Sequence, residues 1–334
     1  MRSNAGARGQ DPSPRSGSSI WPVYVVVALA AFLTVLLAAV SMLVVLSAGS
    51  LLGASAGLSD EALKQLSNRL REEASTGLFG LVAGGGSTFL VLGLLSVVAS
   101  RSWSWSWRRP VAAERSKHID WLRADVFSLV DLGLTTLGFL GLGLVIDEVV
   151  GTFALDRSGS LSAFNEIVGS VHGVDRALLA LFLGLGAGVG EEMFFRGYVL
   201  NRIWLARGRA HALLASSLLF GVFHADLVHS TLATIMGFYL GMCFIYSKSL
   251  PATVAAHALN NMLVVSLFDV HLHLGPRYDF GAGEGSGLSL WSVVGAATAT
   301  VCLVALARRH RDEGTTVACA HEVDAIDAGS PRDA

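Results

Sequence analysis

An all-α, polytopic membrane helix bundle of about eight transmembrane helices is the fold this sequence predicts, and three observations predict it. The 334-residue chain is 52% hydrophobic and only 15% charged, outside the range of ordinary soluble domains. Its apolar residues fall in runs that approach or exceed the length needed to cross a bilayer core, about 20 helical residues for about 30 Å. Its basic residues, all arginine except Lys64, Lys117 and Lys248, concentrate in every second connection between those runs while the intervening ones are acidic or balanced, as the positive-inside rule requires of cytoplasmic and external loops. A net charge of −2 gives no concentrated basic surface for nucleic acid.

In chain order, residues 1–20 are polar and are expected to be a disordered cytoplasmic N-terminus. The run from Trp21 to Leu46 follows Arg2, Arg8 and Arg15 but is too long for a cleavable signal, so it reads as a retained anchor. After it, DEALKQLSNRLREEAS puts Leu63, Leu66 and Leu70 on one face, with Ser59 as N-cap and Asp60 and Glu61 in the first turn. That pattern predicts a short amphipathic helix on the external membrane surface. A second span covers Gly77 to Ser100, and SWSWSW before Arg108 and Arg109 reads as an aromatic belt at the cytoplasmic interface. The third span, Ser128 to Val149, leads to the external DEVVGTFALDRSGS, so residues 21–174 form an N-terminal transmembrane region.

Residues 175–268 hold four further spans, Ala177 to Leu200, His211 to Val228, Thr231 to Tyr246 and Pro251 to Phe268, with Arg202, Arg207, Arg209 and Lys248 in the cytoplasmic turns. A loop and a last span, Leu288 to Ala307, occupy 269–307, and 308–334 is expected to be a disordered cytoplasmic tail. Both termini are therefore expected on the cytoplasmic side of the cell membrane. Cys243, Cys302 and Cys319 have no short spacing that would predict a disulfide framework or a thiolate metal site.

The stretch GEEMFFRGYV breaks this apolar pattern with Glu191, Glu192 and Arg196. Each such charge at mid-bilayer costs about 2.5 to 3.5 kcal/mol on insertion scales, so partners are required. Glu192 and Arg196, four residues apart, can pair on one helical face, whereas Glu191 points about 100° away and needs another partner. Two later segments offer candidates: LLFGVFHA with Phe220 and His224, and PATVAAHALNNML with His257, Asn260 and Asn261. At about 1.5 Å of rise per residue, Glu191 lies about 16 Å from Arg202, His224 about 22 Å from Arg209, and His257 and Asn261 about 14 and 20 Å from Lys248. Three helices thus deliver polar groups to one layer near the bilayer midplane, as a buried site requires and as interhelical hydrogen-bond glue would also do. His229, His271, His273 and Asp226 fall at or beyond the external boundary and are expected on the solvated surface.

The three motifs Glu-Glu-x-x-x-Arg (Glu191, Glu192, Arg196), Phe-x-x-x-His (Phe220, His224) and His-x-x-x-Asn (His257, Asn261), in this order on successive apolar segments, resemble those of the CAAX protease and bacteriocin-processing family, also called Abi proteins. The resemblance covers about Asp175 to Phe268 and implies an intramembrane endopeptidase acting on a membrane-associated peptide or protein. It implies that Glu191 is the general base on water, that His224 holds that water, and that His257 and Asn261 donate to the oxyanion. Glu192, Arg196 and Phe220 would support them. No cofactor is expected, since no His-Glu-x-x-His spacing is present; in a zinc-dependent version Glu191, His224 and His257 would be the ligands. The competing classes are a proton-coupled carrier, which calls for inverted repeats and broken helices, and an immunity or scaffold protein that keeps these residues unused.

Overall fold

The computed structural model describes residues 20–76, 86, 88–96, 98, 128–157, 159–268 and 289–327, and among them every regular element is helical. In order these are α1 (Trp21–Ser55), α2 (Asp60–Thr76), a helical stretch at 88–96, α3 (Leu129–Thr152), α4 (Gly159–Ser170), α5 (Gly173–Glu192), a π-helix (Met193–Leu200), α6 (Asn201–Arg207), α7 (Arg209–Val222), α8 (Leu227–Ser247), α9 (Leu250–Ser266) and α10 (Leu290–Asp327).

Among the described residues five helices are long and apolar enough to cross a membrane: Trp21–Gly53, Leu129–Thr152, Gly173–Trp204, Leu227–Ser247 and Leu290–His310. Their outward faces carry Leu129, Leu137, Leu178 and Val301, which suits contact with lipid rather than water. The eight segments read from the sequence reduce to these five plus α7 and α9, which are helical but shorter, at 14 and 17 residues. The remaining one, Gly77 to Ser100, lies largely outside the described residues, as do the N-terminal tail, the SWSWSW belt, His271 and His273. Helix α10 runs on past Arg308 as far as Asp327. No proline lies between Arg308 and Pro331, and extending an existing helix is far easier than nucleating one.

Helix α2 forms as its pattern dictates. Ser59 Oγ accepts from Ala62 N at 3.3 Å, and Leu63, Leu66 and Leu70 lie on α1 where Gly49 and Gly53 leave room. Elsewhere, small residues set the helix spacing. A Cβ on Gly188 would meet the Ala258 backbone at 2.8 Å, locking α5 to α9, and Gly141 and Gly295 do the same between α3 and α10. One apolar cluster joins α1 to the π-helix and α7 through Val27, Ala30, Phe194, Phe195 and Phe220. A second packs α3, α8, α9 and α10 around Phe139, Leu240, Ala256 and Leu306.

Two departures from the sequence reading position the site. The span expected to be α-helical through Leu200 widens into a π-helix after Glu192. The carbonyls it loosens are taken up by side chains: Asn201 Nδ2 donates to Arg196 O (3.0 Å) and Gly197 O (2.9 Å), and Ser216 Oγ donates to Phe195 O (3.1 Å). Second, the hairpin expected between Val228 and Thr231 turns earlier. Helix α7 stops at Val222, Ala225 takes a left-handed φ of 55°, and Asp226 caps α8 by accepting from His229 N at 2.9 Å. His224 thus sits in a turn, not inside a helix.

Candidate active site

The site is built around a fully buried arginine. Arg196 donates through Nη1 to Glu192 Oε1 at 2.6 Å and through Nη2 to Gly237 O of α8 at 2.9 Å, and its guanidinium lies 4.7 Å from the centre of the Phe220 ring. Gly237 is required there, because a Cβ would run into Phe220 at 2.8 Å. The expected Glu192–Arg196 pair is therefore present, and it is also the junction of the π-helix with α7 and α8.

Glu192 does more than neutralise Arg196. The same Oε1 lies 2.9 Å from His257 Nδ1 of α9, and Glu192 has no exposed surface. Because Oε1 already accepts from Arg196, the His257 ring supplies the hydrogen, which fixes Nδ1 as protonated. The other ring nitrogen, Nε2, then faces Glu191 Oε2 at 3.9 Å. That separation is too long for a hydrogen bond and suits a water shared by the two. Glu191 and His257 are both 7% exposed, so this gap is secluded but not sealed.

His224 approaches from the α7–α8 turn. Its Nδ1 donates to Phe220 O at 2.9 Å, since a carbonyl can only accept, and its ring packs on Phe220 with centres 5.1 Å apart. Phe220 also meets His257 at 6.0 Å between ring centres, so one buried phenyl ring holds both imidazoles and the arginine. Asn261 stands one turn beyond His257 on α9, half-buried, with its Oδ1 3.5 Å from Asn260 Nδ2. Asn260 itself is buried, against Gly143 of α3.

The structure thus ties Glu192, Arg196, Phe220, His224 and His257 into one network and brings Glu191 to its edge. A zinc ion fits less well: among the described residues no group of three His, Cys, Asp or Glu side chains is arranged to hold a metal. What the sequence did not reveal is Gly237, a carbonyl anchor with no side chain to mark it. His229 was also misplaced by the sequence. It is not a surface residue but half-buried, its ring 4.4 Å from that of His224 and its Nδ1 3.2 Å from Ser160 Oγ. The signal for it lay in the position of the turn, which depth counting puts too late.

Comparison with known proteins points to the same segment. Residues 173–263 match the family described as Type II CAAX prenyl endopeptidase Rce1-like. YdiL of Bacillus subtilis (strain 168), whose name provisionally makes it a membrane peptidase, is 35% identical over 75 residues, 22% of this chain. The match spans 31% of that relative's own length, about a third. No solved structure matches the chain. Every residue of the network, from Glu191 to Asn261, falls within 173–263, the segment that is similar to that family.

Proposed function

We propose that the protein is an intramembrane endopeptidase that hydrolyses a peptide bond of a membrane-associated protein or peptide. The observation that carries this reading is the gap between Glu191 Oε2 and His257 Nε2, 3.9 Å wide, at the edge of the buried polar network. A water there gives one proton to Glu191 and, as hydroxide, adds to the carbonyl carbon, with His224 Nε2 accepting a hydrogen bond from the hydrogen that stays on its oxygen. The tetrahedral oxyanion takes hydrogen bonds from His257 Nε2 and Asn261 Nδ2, and the proton on Glu191 passes to the amine as the C–N bond breaks. Since Nδ1 of His257 is already protonated toward Glu192, donation from Nε2 requires protons on both ring nitrogens. The reaction uses no metal.

The depth of Glu191, about 16 Å of helix from Arg202, supports a site near the bilayer midplane, and the arginine-rich connections support cytoplasmic termini. The test compares the amino termini in membrane proteomes of cells carrying wild type and Glu191→Gln. One cleavage product lost in the variant, and still formed by the purified wild type under strong chelation, is expected. Identical amino termini in both would overturn the protease reading, and loss on chelation with recovery on zinc would replace the metal-free mechanism.

A further inference from the structure

His224 is held on one side only by the groups of the site described above. On the other side lies a second set of contacts, outside all three motifs. His229, in the first turn of α8, places its ring 4.4 Å from that of His224. Its own Nδ1 lies 3.2 Å from Ser160 Oγ of α4. Ser160 is fixed in turn, its N–H donating to Asp226 Oδ2 at 3.2 Å, while Asp226 Oδ1 caps α8 through the His229 N–H at 2.9 Å. Gly159, at φ +68°, permits the approach, for a Cβ there would meet Asp226 Oδ2 at 2.5 Å.

We propose that His229 is a positioning residue for His224 and that Ser160 of α4 holds it in place. The need for one follows from the backbone. His224 lies in a turn whose next residue is left-handed, so no helix on its own segment limits its motion. Held on its own segment by one hydrogen bond to Phe220 O and by packing on the Phe220 ring, the imidazole can still rotate about its side-chain bonds, breaking that hydrogen bond and swinging Nε2 off the water on Glu191. The His229 ring, tilted 56° to that of His224, blocks this rotation, and Ser160 stops His229 from turning with it. Through this contact the start of α4 is coupled to the reacting groups, although α4 contributes none of them.

This inference rests on His224 being the residue that holds the water, and its test is chosen to read His224 directly. The full-length protein in detergent micelles, with ring-15N histidine, is compared as wild type, His229→Ala, His229→Asn and Ser160→Ala, with thermal midpoints measured in parallel. In the wild type the His224 ring nitrogens are expected to show one tautomer, Nδ1 protonated. In His229→Ala both signals should move toward the average of the two tautomers, and His229→Asn, which keeps a polar atom near Nδ1, should restore part of the difference. Unchanged His224 signals in a folded His229→Ala protein would overturn the proposal. Should that variant fail to fold, Ser160→Ala decides in the same way, a shift supporting and no shift overturning it. The rate of any Glu191-dependent cleavage should fall about 10- to 100-fold in His229→Ala, the scale of a small misplacement of a reacting group. If no Glu191-dependent product exists, the protease reading fails, while the ring-nitrogen comparison still judges the positioning of His224.

Discussion

Two regions of this molecule bury carboxylates, and they do it differently. Along α3, Asp131 and Glu148 sit at opposite ends of the helix and close onto α10: Asp131 Oδ2 lies 3.0 Å from His310 Nε2, with Arg309 Nε 3.2 Å from Oδ1, and Glu148 accepts from Ser289 Oγ at 2.5 Å and from Ser289 N at 3.4 Å. Each acid there is matched with groups of one neighbouring helix, and between them α3 and α10 touch through Gly141 and Gly295. In α5, Glu191 and Glu192 are the last two residues before the π-helix and belong to a network drawn from the π-helix, α7, α8 and α9. The end-pairs fasten two helices, whereas in the central network Glu191 stops 3.9 Å short of His257. A buried acid whose nearest partner lies beyond hydrogen-bond reach is what chemistry on water needs and what packing alone would eliminate.

The sharpest test of that contrast is Arg196→Ala. It leaves Glu192 as a buried charge with only His257 beside it, at a cost of about 3 to 5 kcal/mol, so the protein should largely disappear from the membrane fraction. A normal amount of Arg196→Ala with selective loss of turnover would show that the arginine takes part in the chemistry. Asn261→Ala should do the opposite, keeping its abundance while turnover per molecule falls about 100- to 1,000-fold. Should Asn261→Ala lose abundance instead, Asn261 belongs with the packing residues. Glu148→Ala removes a hydrogen-bonded charge from the α3–α10 contact and should lower stability by about 1 to 3 kcal/mol, read as a drop in thermal midpoint, with cleavage per folded molecule unchanged. A fall in turnover at constant midpoint would break the distinction between fastening and reacting carboxylates.

The smallest effect concerns Asp226. Backbone N–H groups of His229 and Ser160 donate to its carboxylate and hold it below the usual carboxylate range. A lowered folded pKa means stabilisation that is complete above the unfolded value of about 3.9 and is lost as pH falls through the lower one. Asp226→Asn should therefore be less stable than wild type at neutral pH, and the difference in thermal midpoint should narrow below about pH 4. A difference that stays constant with pH would mean that the asparagine replaces the carboxylate only in shape.

The sequence alone determined that this is a helical membrane protein, where α2, α3 and α8 run to within a few residues and where α1 and α10 begin, and which charged and polar residues stand out against the apolar background. These are consequences of composition and spacing: an apolar run of fixed length, a cap, a leucine stripe, a pair four residues apart. It also determined the Glu192–Arg196 pair, because both partners lie on one segment and local helical geometry brings them together. Only the tertiary structure decided that His257 turns its Nδ1 to Glu192 and its Nε2 to Glu191, that Gly237 O anchors the arginine, and that His229 and Ser160 flank His224. Those facts depend on where the α7–α8 hairpin turns and on the widening at Met193, which are set by Asn201, Ser216 and Asp226 answering backbone groups. Regular rise along a single helix can be counted from the sequence, but such a turn or π-helix shifts every later side chain by an amount that only the packed partners fix.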